Sequence, residues 1–467
     1  MRKSLFLLGL FIFIFSAQIF AQKTAVDLIV RGGTVVTMDA QKQVIENGAV
    51  AVKGGKIVAV GGSAEVLAKY SSRQIVNANG KLVIPGLINT HTHVPMGLFR
   101  GAANDLDLQQ WLTTYIFPAE GKNVNEAFVR AGTRLGLAEM IRGGTTTYCD
   151  MYYFEDAIAE ETKKAGMRGV LGETIIDFPV PDNKTYEAGL QYAERFIKRW
   201  QGDKLIEPAV APHAPYTVSE EHLKLAKQLS DRLKSPLVIH LAEDPSETDI
   251  IIKQKGMRSI EYLGKIGLLF DRVIAAHVIQ ANDEELQLLK KFGVGIGHCP
   301  QSNMKLAAGA ARIPDMLKLD IPVGLGTDGA ASNNDVNMWE EMDSAAKLHK
   351  LYAKDPKVAS AVEVFEMATI RGARALHLEK EIGSLENGKR ADIVIVDTDS
   401  LNQIPVGDII ANAYSLLVYS TKANDVRTVI IEGRLVMKDR VLLTLNERAI
   451  KQEALFYRQK IDKSLKP

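Results

Sequence analysis

Cysteine is scarce in this sequence, since Cys149 and Cys299 are the two present among 467 residues. Two thiols cannot build a disulfide scaffold, and a chain of this length can bury enough apolar surface to fold without one. Both cysteines lie in apolar, strand-like segments. We therefore expect two buried free thiols rather than a structural bridge.

An excess of one charge is also missing. The chain has 57 lysines and arginines against 56 acidic residues, a formal net charge of +1, and no basic run. This balance excludes the electrostatic footprint expected of a nucleic-acid-binding protein or of a surface for anionic lipid. We expect a small-molecule substrate and no nucleic acid, while the sequence leaves open whether the chain forms a homo-oligomer.

Long apolar runs are missing except at the very start. Arg2 and Lys3 precede an apolar run over residues 5–15, and small residues including Ala21 follow it. This layout is typical of a secretory signal peptide, and the run is shorter than the roughly 20 residues that span a bilayer. We expect residues 1–21 to be removed after Ala21, which predicts an exported, periplasmic or secreted protein without stable membrane association. An uncleaved anchor is the alternative, because Ile19 is bulky for its position before the cut.

The two ends of the remaining chain share one character. Residues 25–84 and 383–445 consist of short strand-like segments separated by glycine-containing turns. They predict one small β-sandwich built from both termini. A helical C-terminal tail is expected over residues 446–467.

The middle of the chain, residues 85–382, alternates short apolar runs with amphipathic segments. Continuous apolar strands that alternate with helices indicate a parallel sheet covered by helices. Eight such units over about 250 residues predict a (β/α)8 TIM barrel. An open doubly wound sheet is the alternative, but no glycine-rich phosphate fingerprint follows an early strand. The eight runs are 81–90, 145–150, 169–176, 206–212, 237–240, 273–277, 294–298 and 321–325.

Six of the nine histidines stand at or just after the carboxyl ends of these predicted strands. In a barrel those ends open onto one face, where catalysis occurs. The six are His91, His93, His213, His240, His277 and His298. The other three, His222, His349 and His377, lie in helix-like segments and are expected at the surface or in packing.

A metal site is the chemistry that this pattern favours. Alternate side chains of an extended segment share a face, so His91 and His93 can bind one cation. His240 ends the fifth predicted strand and Asp328 follows the eighth. Three imidazoles and one carboxylate suit one zinc ion with a position left for water, and iron(II) or nickel would accept the same ligands.

The motifs together resemble the amidohydrolase superfamily, within it the branch of S-adenosylhomocysteine and methylthioadenosine deaminases and related chlorohydrolases. The resemblance covers nearly everything after the predicted signal peptide. It is carried by Pro-Gly-Leu-Ile-Asn-Thr-His-Thr-His at 85–93, Trp111-Leu112 with Pro118-Ala119-Glu120, His213-Ala214-Pro215-Tyr216, His240-Leu241-Ala242-Glu243, His277, His298-Cys299-Pro300-Gln301-Ser302-Asn303 and Gly326-Thr327-Asp328-Gly329.

The resemblance implies that His91, His93, His240 and Asp328 hold a divalent metal that lowers the pKa of a bound water. It further implies that Asp328 takes the proton and His277 orients the resulting hydroxide. Glu243 would protonate the ring nitrogen beside the attacked carbon. The competing interpretations are a turn or helix-cap role for Asp328 and a solvated carboxylate at Glu243.

For the substrate, the resemblance implies that Trp111, Glu120 and His213 line a nucleoside pocket. A tryptophan can cover a purine face and a carboxylate can accept both ribose hydroxyls, although Trp111 could equally be a core residue. His298 is expected in packing or pocket lining rather than as a ligand. Glu173 stands where the branch commonly has an arginine for the homocysteine carboxylate, with Arg168 upstream. We therefore expect substrates with uncharged tails to be preferred.

Binuclear members of the superfamily bridge two metals with a carboxylated lysine on the fourth strand. That strand, residues 206–212, has no lysine here, which favours a single ion. The sequence thus predicts a metal-dependent hydrolase of non-peptide C–N bonds, a deaminase of an adenosine-type or other amino-heterocycle. An amidohydrolase or chlorohydrolase of a cyclic amide, imide or triazine-like ring is one alternative. A non-catalytic binding barrel is another, although it would be expected to lack ligands.

Overall fold

A computed structural model of the protein describes residues 22–465, so the predicted signal peptide lies outside the described residues. Two large sheets organise this part of the chain, one of eight strands and one of nine. Cys149 and Cys299 are buried free thiols, as the sequence predicts. Between residues 22 and 465, no helix combines the length and the apolar character needed to cross a membrane.

The eight-stranded sheet is a parallel barrel whose strands follow one another in chain order. Two hydrogen bonds connect the first strand to the turn after the last strand. The Thr327 N–H donates to Asn89 Oδ1 and the Asp328 N–H donates to the His91 carbonyl, each at 3.0 Å. The TIM-barrel prediction is confirmed. The barrel strands are Leu87–Thr92, Thr145–Tyr152, Arg168–Ile175, Ile206–Pro212, Leu237–Leu241, Val273–His277, Gly295–His298 and Val323–Leu325.

Helices cover the outside of the barrel, and their ends have ordinary helix-capping residues. Asn282, for example, forms a capping box with Glu285, and Gly293 ends the same helix in a left-handed conformation. The helices that surround the barrel are Glu126–Arg142, Glu155–Ala165, Tyr186–Trp200, Glu220–Leu233, Pro245–Lys255, Ser259–Lys265, Asp283–Phe292, Pro300–Lys305, Ile313–Lys318, Met338–Ala353, Ala361–Met367 and Ile370–Ala375.

The nine-stranded sheet is built from both termini. Residues of the two ends share one apolar cluster that includes Leu28, Val50, Val83, Ile393 and Ile430. The strands are Leu28–Val36, Val44–Lys53, Lys56–Gly62, Gln74–Asn77, Lys81–Pro85, Ile393–Asp397, Val426–Ile431, Arg434–Lys438 and Val441–Leu442. Thr24–Ala25 pairs with Tyr70–Ser71 in a separate small ladder, next to the helix Ser63–Lys69.

The first predicted barrel run, 81–90, is in fact two strands in two sheets. Lys81–Pro85 pairs antiparallel with Ile393–Asp397 in the terminal sheet, and Leu87–Thr92 begins the barrel. Gly86 separates them at a point where a Cβ would overlap the side chain of Thr146. An apolar run alone does not show such a change of sheet, because both strands are buried.

Short helical segments lie beside the barrel mouth and between the terminal-sheet strands Ile393–Asp397 and Val426–Ile431, and a long helix follows the last strand. The tail helix Glu447–Ser464 packs on Glu126–Arg142 through an Arg134–Glu453 ion pair at 2.7 Å. The short turns are Val94–Phe99, Leu108–Gln110, Trp111–Ile116, Phe117–Asn123, Ile409–Ser415, Leu416–Ser420 and Ala423–Asp425.

Candidate active site

The four predicted metal ligands converge at the carboxyl end of the barrel. His91 Nε2 and His93 Nε2 lie 3.5 and 3.3 Å from Asp328 Oδ1. His240 Nε2 lies 3.2 Å from His93 Nε2. One nitrogen from each of the three histidines falls within 4.8 Å of the others. Barrel strands one, five and eight thus bring together residues that are far apart in the sequence.

The donor set fits a divalent cation. Both ring nitrogens of His91 are buried without a hydrogen-bond partner anywhere in the described chain, which is costly for polar atoms unless another group engages them. His93 Nδ1 donates to the Met151 carbonyl at 2.7 Å, and His240 Nδ1 donates to the His213 carbonyl at 2.8 Å. Because a carbonyl only accepts, Nε2 of each ring keeps the lone pair that ligation requires.

Asp328 is held firmly as a carboxylate. Its Oδ2 accepts hydrogen bonds from Ser302 Oγ and Ser332 Oγ, both at 2.7 Å, and its Oδ1 accepts from the Gly329 N–H at 2.7 Å. Burial alone would raise the pKa of Asp328, but the neighbouring His91 and His93 outweigh it and hold that pKa well below the ordinary value. Asp328 is therefore held in the anionic form that a metal ligand needs.

When no cation is bound, the two histidines beside this carboxylate differ in their pKa. Burial lowers the pKa of His91 to about 4. At His93, burial also lowers the pKa, but the hydrogen bond and charge of Asp328 dominate and raise it to about 9. A proton and a cation compete for the same nitrogen, so metal affinity should fall as the pH falls.

Glu243 and His277 stand next to the ligands, at the ends of barrel strands five and six. Glu243 Oε1 lies 3.6 Å from His277 Nε2. Burial, followed by the charges of Asp328 and Glu247, raises the pKa of Glu243 well above its ordinary value. A raised pKa favours the protonated carboxyl, which is the form that a general acid needs.

Glu247 is a residue that sequence reasoning missed. Its two oxygens accept from the backbone N–H groups of Ala242 and Glu243 at 2.9 and 3.0 Å, so it holds the turn that carries Glu243. Its spacing of four residues from Glu243 could have pointed to this contact, but a carboxylate on a helix is ordinarily solvated.

One cavity joins the metal ligands to the predicted substrate residues. His93, His240, Glu243 and Asp328 line it together with Trp111, Glu120, His213, Tyr152 and Tyr216. Trp111 is 7% exposed, and its indole N–H has no partner within residues 22–465. Sequence reasoning had not singled out Tyr152, whose hydroxyl donates to Glu120 Oε1 at 2.6 Å. The structure therefore places the three predicted substrate residues around the same space as the metal ligands.

Burial shifts the pKa values of Glu120 and His213 in opposite directions. Burial raises the pKa of Glu120 to about 7, and the hydrogen bond from Tyr152 opposes that rise. Burial lowers the pKa of His213 to about 3, so its ring is neutral. Its Nδ1 lies 2.9 Å from Thr217 Oγ1.

The expectation that Glu173 faces the substrate is wrong. Glu173 Oε1 accepts from Asn183 Nδ2 at 2.9 Å and its Oε2 accepts from the Glu155 N–H at 3.1 Å, while its neighbour Thr174 lines the cavity. Arg168, the upstream cation, begins strand three at the opposite end of the barrel. It pairs there with Glu432 at 2.7 Å, so it cannot reach a substrate tail.

The remaining histidines serve packing. His298 is buried, and its Nε2 lies 2.9 Å from His349 Nε2. His222 stacks on Tyr186 with ring centroids 3.7 Å apart, and His377 Nε2 lies 3.2 Å from the Val273 carbonyl. None of these four belongs to the metal-binding groups found among the described residues.

Comparison with known proteins identifies the class. The amidohydrolase family model matches residues 82–436, and a short model of the bacterial imidazolonepropionase-like composite domain matches residues 48–70. The chain belongs to the amidohydrolase family. This confirms the superfamily that the motifs predict.

The similar proteins narrow that class. A 5-methylthioadenosine/S-adenosylhomocysteine deaminase of Syntrophobacter fumaroxidans is 44% identical over 441 residues, which cover 94% of this chain and 99% of that protein. A protein of the same function from Syntrophus aciditrophicus is 43% identical with the same coverage. The predicted reaction class, hydrolytic deamination of an amino-heterocycle, is confirmed.

Solved structures show the same fold. An adenosine deaminase from Xanthomonas campestris with bound zinc superposes with a TM-score of 0.92 at 37% identity, covering 95% of this chain and all of that one. An atrazine chlorohydrolase from Arthrobacter aurescens, complexed with zinc, has a TM-score of 0.85 at 24% identity and covers 92% of this chain and all of that one. At that identity the second likeness shows the fold alone.

Proposed function

We propose that the protein deaminates an adenosine-type nucleoside with an uncharged 5′ substituent, for which 5′-methylthioadenosine is the model substrate. The observation that carries the proposal is the single cavity that contains the His–Asp centre, Glu243, Trp111 and Glu120. The names of the relatives at 43–44% identity support the same substrate class. A complete set of ligands argues against a barrel that only binds.

The substrate would be held through its base and its sugar. Trp111 offers the purine an apolar face and an N–H that has no partner among the described residues. Glu120 already accepts a hydrogen bond from Tyr152 and has further lone pairs for the ribose hydroxyls. These contacts would set the position of the purine relative to Glu243.

The reaction replaces the exocyclic amino group by oxygen from water and releases ammonia. His91, His93, His240 and Asp328 would hold a divalent cation, which would make a bound water acidic enough to react near neutral pH. Asp328, which is anionic, would accept a proton from the attacking water, and Nε2 of the His277 ring would accept a hydrogen bond that orients this water. Glu243 would donate its proton to the ring nitrogen, which offsets the charge that develops as C–O forms. Asp328 would then pass its proton to the amino group, which leaves as ammonia when C–N breaks, and Glu243 would recover a proton from the hydroxyl that becomes the oxo group.

We propose one zinc ion per chain. Barrel strand four, Ile206–Pro212, carries no lysine that could bridge a second ion. Zinc bound to the 37%-identical adenosine deaminase supports the choice of metal, while iron(II) and nickel suit the same ligands. Elemental analysis of purified protein tests both points, because two equivalents per chain would refute the single-ion assignment.

Because Glu173 does not line the cavity, the proposed preference for an uncharged tail rests on a second cavity instead. This cavity shares Phe117, Glu120 and Tyr153 with the first. Its further lining is mostly apolar, and Lys184 is its one cation among the described residues. A methylthio group would bury apolar surface there, whereas an amino-acid tail would have to desolvate two charges with one lysine available.

The deciding experiment compares 5′-methylthioadenosine, adenosine and S-adenosylhomocysteine by kcat/KM, following ammonia release. We expect methylthioadenosine to be the best of the three. If a free base, a pterin or a triazine reacts and none of the three nucleosides does, the proposed metal chemistry would stand and the proposed nucleoside-binding pocket would be refuted.

We also propose that the mature protein is exported and begins after Ala21. The basic start and the apolar run over residues 5–15 support this. N-terminal sequencing of protein from the native host tests it. A retained Met1 in a membrane fraction would point to an anchor instead.

A further inference from the structure

Two adjacent side chains, Ser302 and Asn303, contact both proposed proton-handling residues. They lie on the short helix Pro300–Lys305, which follows barrel strand seven, and both are buried. Asn303 contacts His277 and Ser302 contacts Asp328. One turn of chain therefore touches two functional groups that belong to different strands.

The contact with His277 determines where the imidazole carries its proton. Asn303 Oδ1 lies 3.0 Å from His277 Nδ1. An amide oxygen has no proton to give, so Nδ1–H must be the donor. In the neutral ring the lone pair then resides on Nε2, which has no hydrogen-bond partner in the described structure. This tautomer is the one that can accept a hydrogen bond from an attacking water.

The contact with Asp328 determines how the carboxylate is turned. Ser302 Oγ and Ser332 Oγ both donate to Oδ2 at 2.7 Å. These two hydroxyls leave Oδ1 directed at His91 and His93, 3.5 and 3.3 Å away. Without them the carboxylate could rotate and present either oxygen.

A buried acid holds the turns that carry these hydroxyls. Glu341 Oε2 accepts from the Gln301 N–H at 3.2 Å, and its Oε1 accepts from Asn333 Nδ2 at 2.6 Å. Asn333 also donates to the Thr327 carbonyl at 2.9 Å. The turns after strands seven and eight are thus fixed to each other, which keeps Ser302 and Ser332 on the same carboxylate oxygen.

We propose that Ser302 and Asn303 are positioning residues for the reaction: Asn303 selects the Nδ1–H tautomer of His277, and Ser302, with Ser332, fixes the orientation of Asp328. The proposal rests on the proposed roles of His277 and Asp328. Its two physical readouts, a tautomer and a metal affinity, need no substrate, so its failure is distinguishable from failure of the proposed function.

Asn303 is tested by the tautomer of His277 in the zinc-loaded protein. Nitrogen-15 NMR of histidine-labelled enzyme distinguishes the two tautomers, and the His277 signals are assigned by their loss in His277→Gln. We expect Nδ1–H in the wild type and in Asn303→Asp, which retains the acceptor. In Asn303→Leu we expect loss of that preference and a fall in kcat of about 10- to 100-fold, with KM within about threefold.

Ser302 is tested by metal affinity and kcat together. Ser302→Ala should weaken zinc binding about tenfold in a chelator competition and lower kcat by a similar factor, while the His277 tautomer is unchanged. Gln301→Leu is the matched control. Its side chain on the same turn contacts Ser344 at 3.1 Å instead, so zinc affinity and kcat should stay within about twofold.

Three results would overturn the proposal. They are Nε2–H at His277 in the wild type, an unchanged tautomer and kcat in Asn303→Leu, and unchanged zinc affinity and kcat in Ser302→Ala. If Asn303→Leu does not fold, Asn303→Asp and Ser302→Ala still decide it, because the first must keep the tautomer and the second must lose affinity.

Discussion

Replacing Glu243 by glutamine is the perturbation whose consequence the structure defines most fully. The Glu243 carboxyl makes no hydrogen bond to the described protein, and its Oε1 lies 3.6 Å from His277 Nε2. Glutamine keeps the size of the side chain and removes only the proton that the acid would give. Folding and metal content should therefore be preserved.

The size of the effect follows from the proposed role. Losing a positioned acid ordinarily costs on the order of 10²–10⁴ in rate, which at ~1.4 kcal/mol per tenfold is roughly 3–6 kcal/mol in the barrier. Burial and the charge of Asp328, which raise the pKa of Glu243, are what would keep that proton available at neutral pH. We expect kcat to fall by this factor with one zinc still bound.

The assay is ammonia release at saturating methylthioadenosine, with zinc measured on the same sample. Asp244→Asn is the matched control because it also removes one carboxylate from the same turn. Asp244 caps the helix Pro245–Lys255, and asparagine caps a helix equally well, so activity should stay within about threefold. Turnover of Glu243→Gln within tenfold of the wild type, with metal bound, would refute the reasoning.

Three further predictions concern the proposed substrate contacts and the metal. Tyr152→Phe removes the hydrogen bond that opposes the raised pKa of Glu120. The acid limb of the pH profile of kcat/KM for a ribonucleoside should therefore move from near pH 7 to higher pH. A 2′,3′-dideoxy substrate, which lacks both hydroxyls, should show no such displacement. Lys184→Gln should lower kcat/KM for S-adenosylhomocysteine about tenfold and leave methylthioadenosine within about twofold; an equal loss on both would show that Lys184 does not contact the tail. Chelation should lower the Tm, and zinc at 100 times its Kd should restore about 2.7 kcal/mol of stability; an unchanged Tm would contradict a metal held by His91, His93, His240 and Asp328.

The sequence predicts the barrel and the converging ligands because both follow from simple periodicities. Parallel strands place their carboxyl ends on one face, so His91, His240 and Asp328 had to meet once the strands were recognised. The positions of Glu120 and Trp111 at the same cavity depended on resemblance, since their segment is short and irregular. Their roles remain predictions.

The features that could not be predicted depend on which face a buried side chain occupies. Barrel strand three is buried on both faces, so the pattern of residues does not show that Thr174 points inward and Glu173 outward. Contacts such as Ser302 with Asp328 join residues that follow different strands. No local spacing reports them. The split at Gly86 was hidden for the same reason, because both flanking strands are apolar.

The central claim is that one metal centre and Glu243 deaminate a nucleoside in this cavity. The most direct test is the conversion of methylthioadenosine by enzyme that carries one zinc, with ammonia and the oxo product measured in the same reaction. We expect one ammonia for each nucleoside consumed and no conversion by enzyme stripped of metal. Full activity in metal-free enzyme, or consumption of the nucleoside without ammonia, would contradict the account.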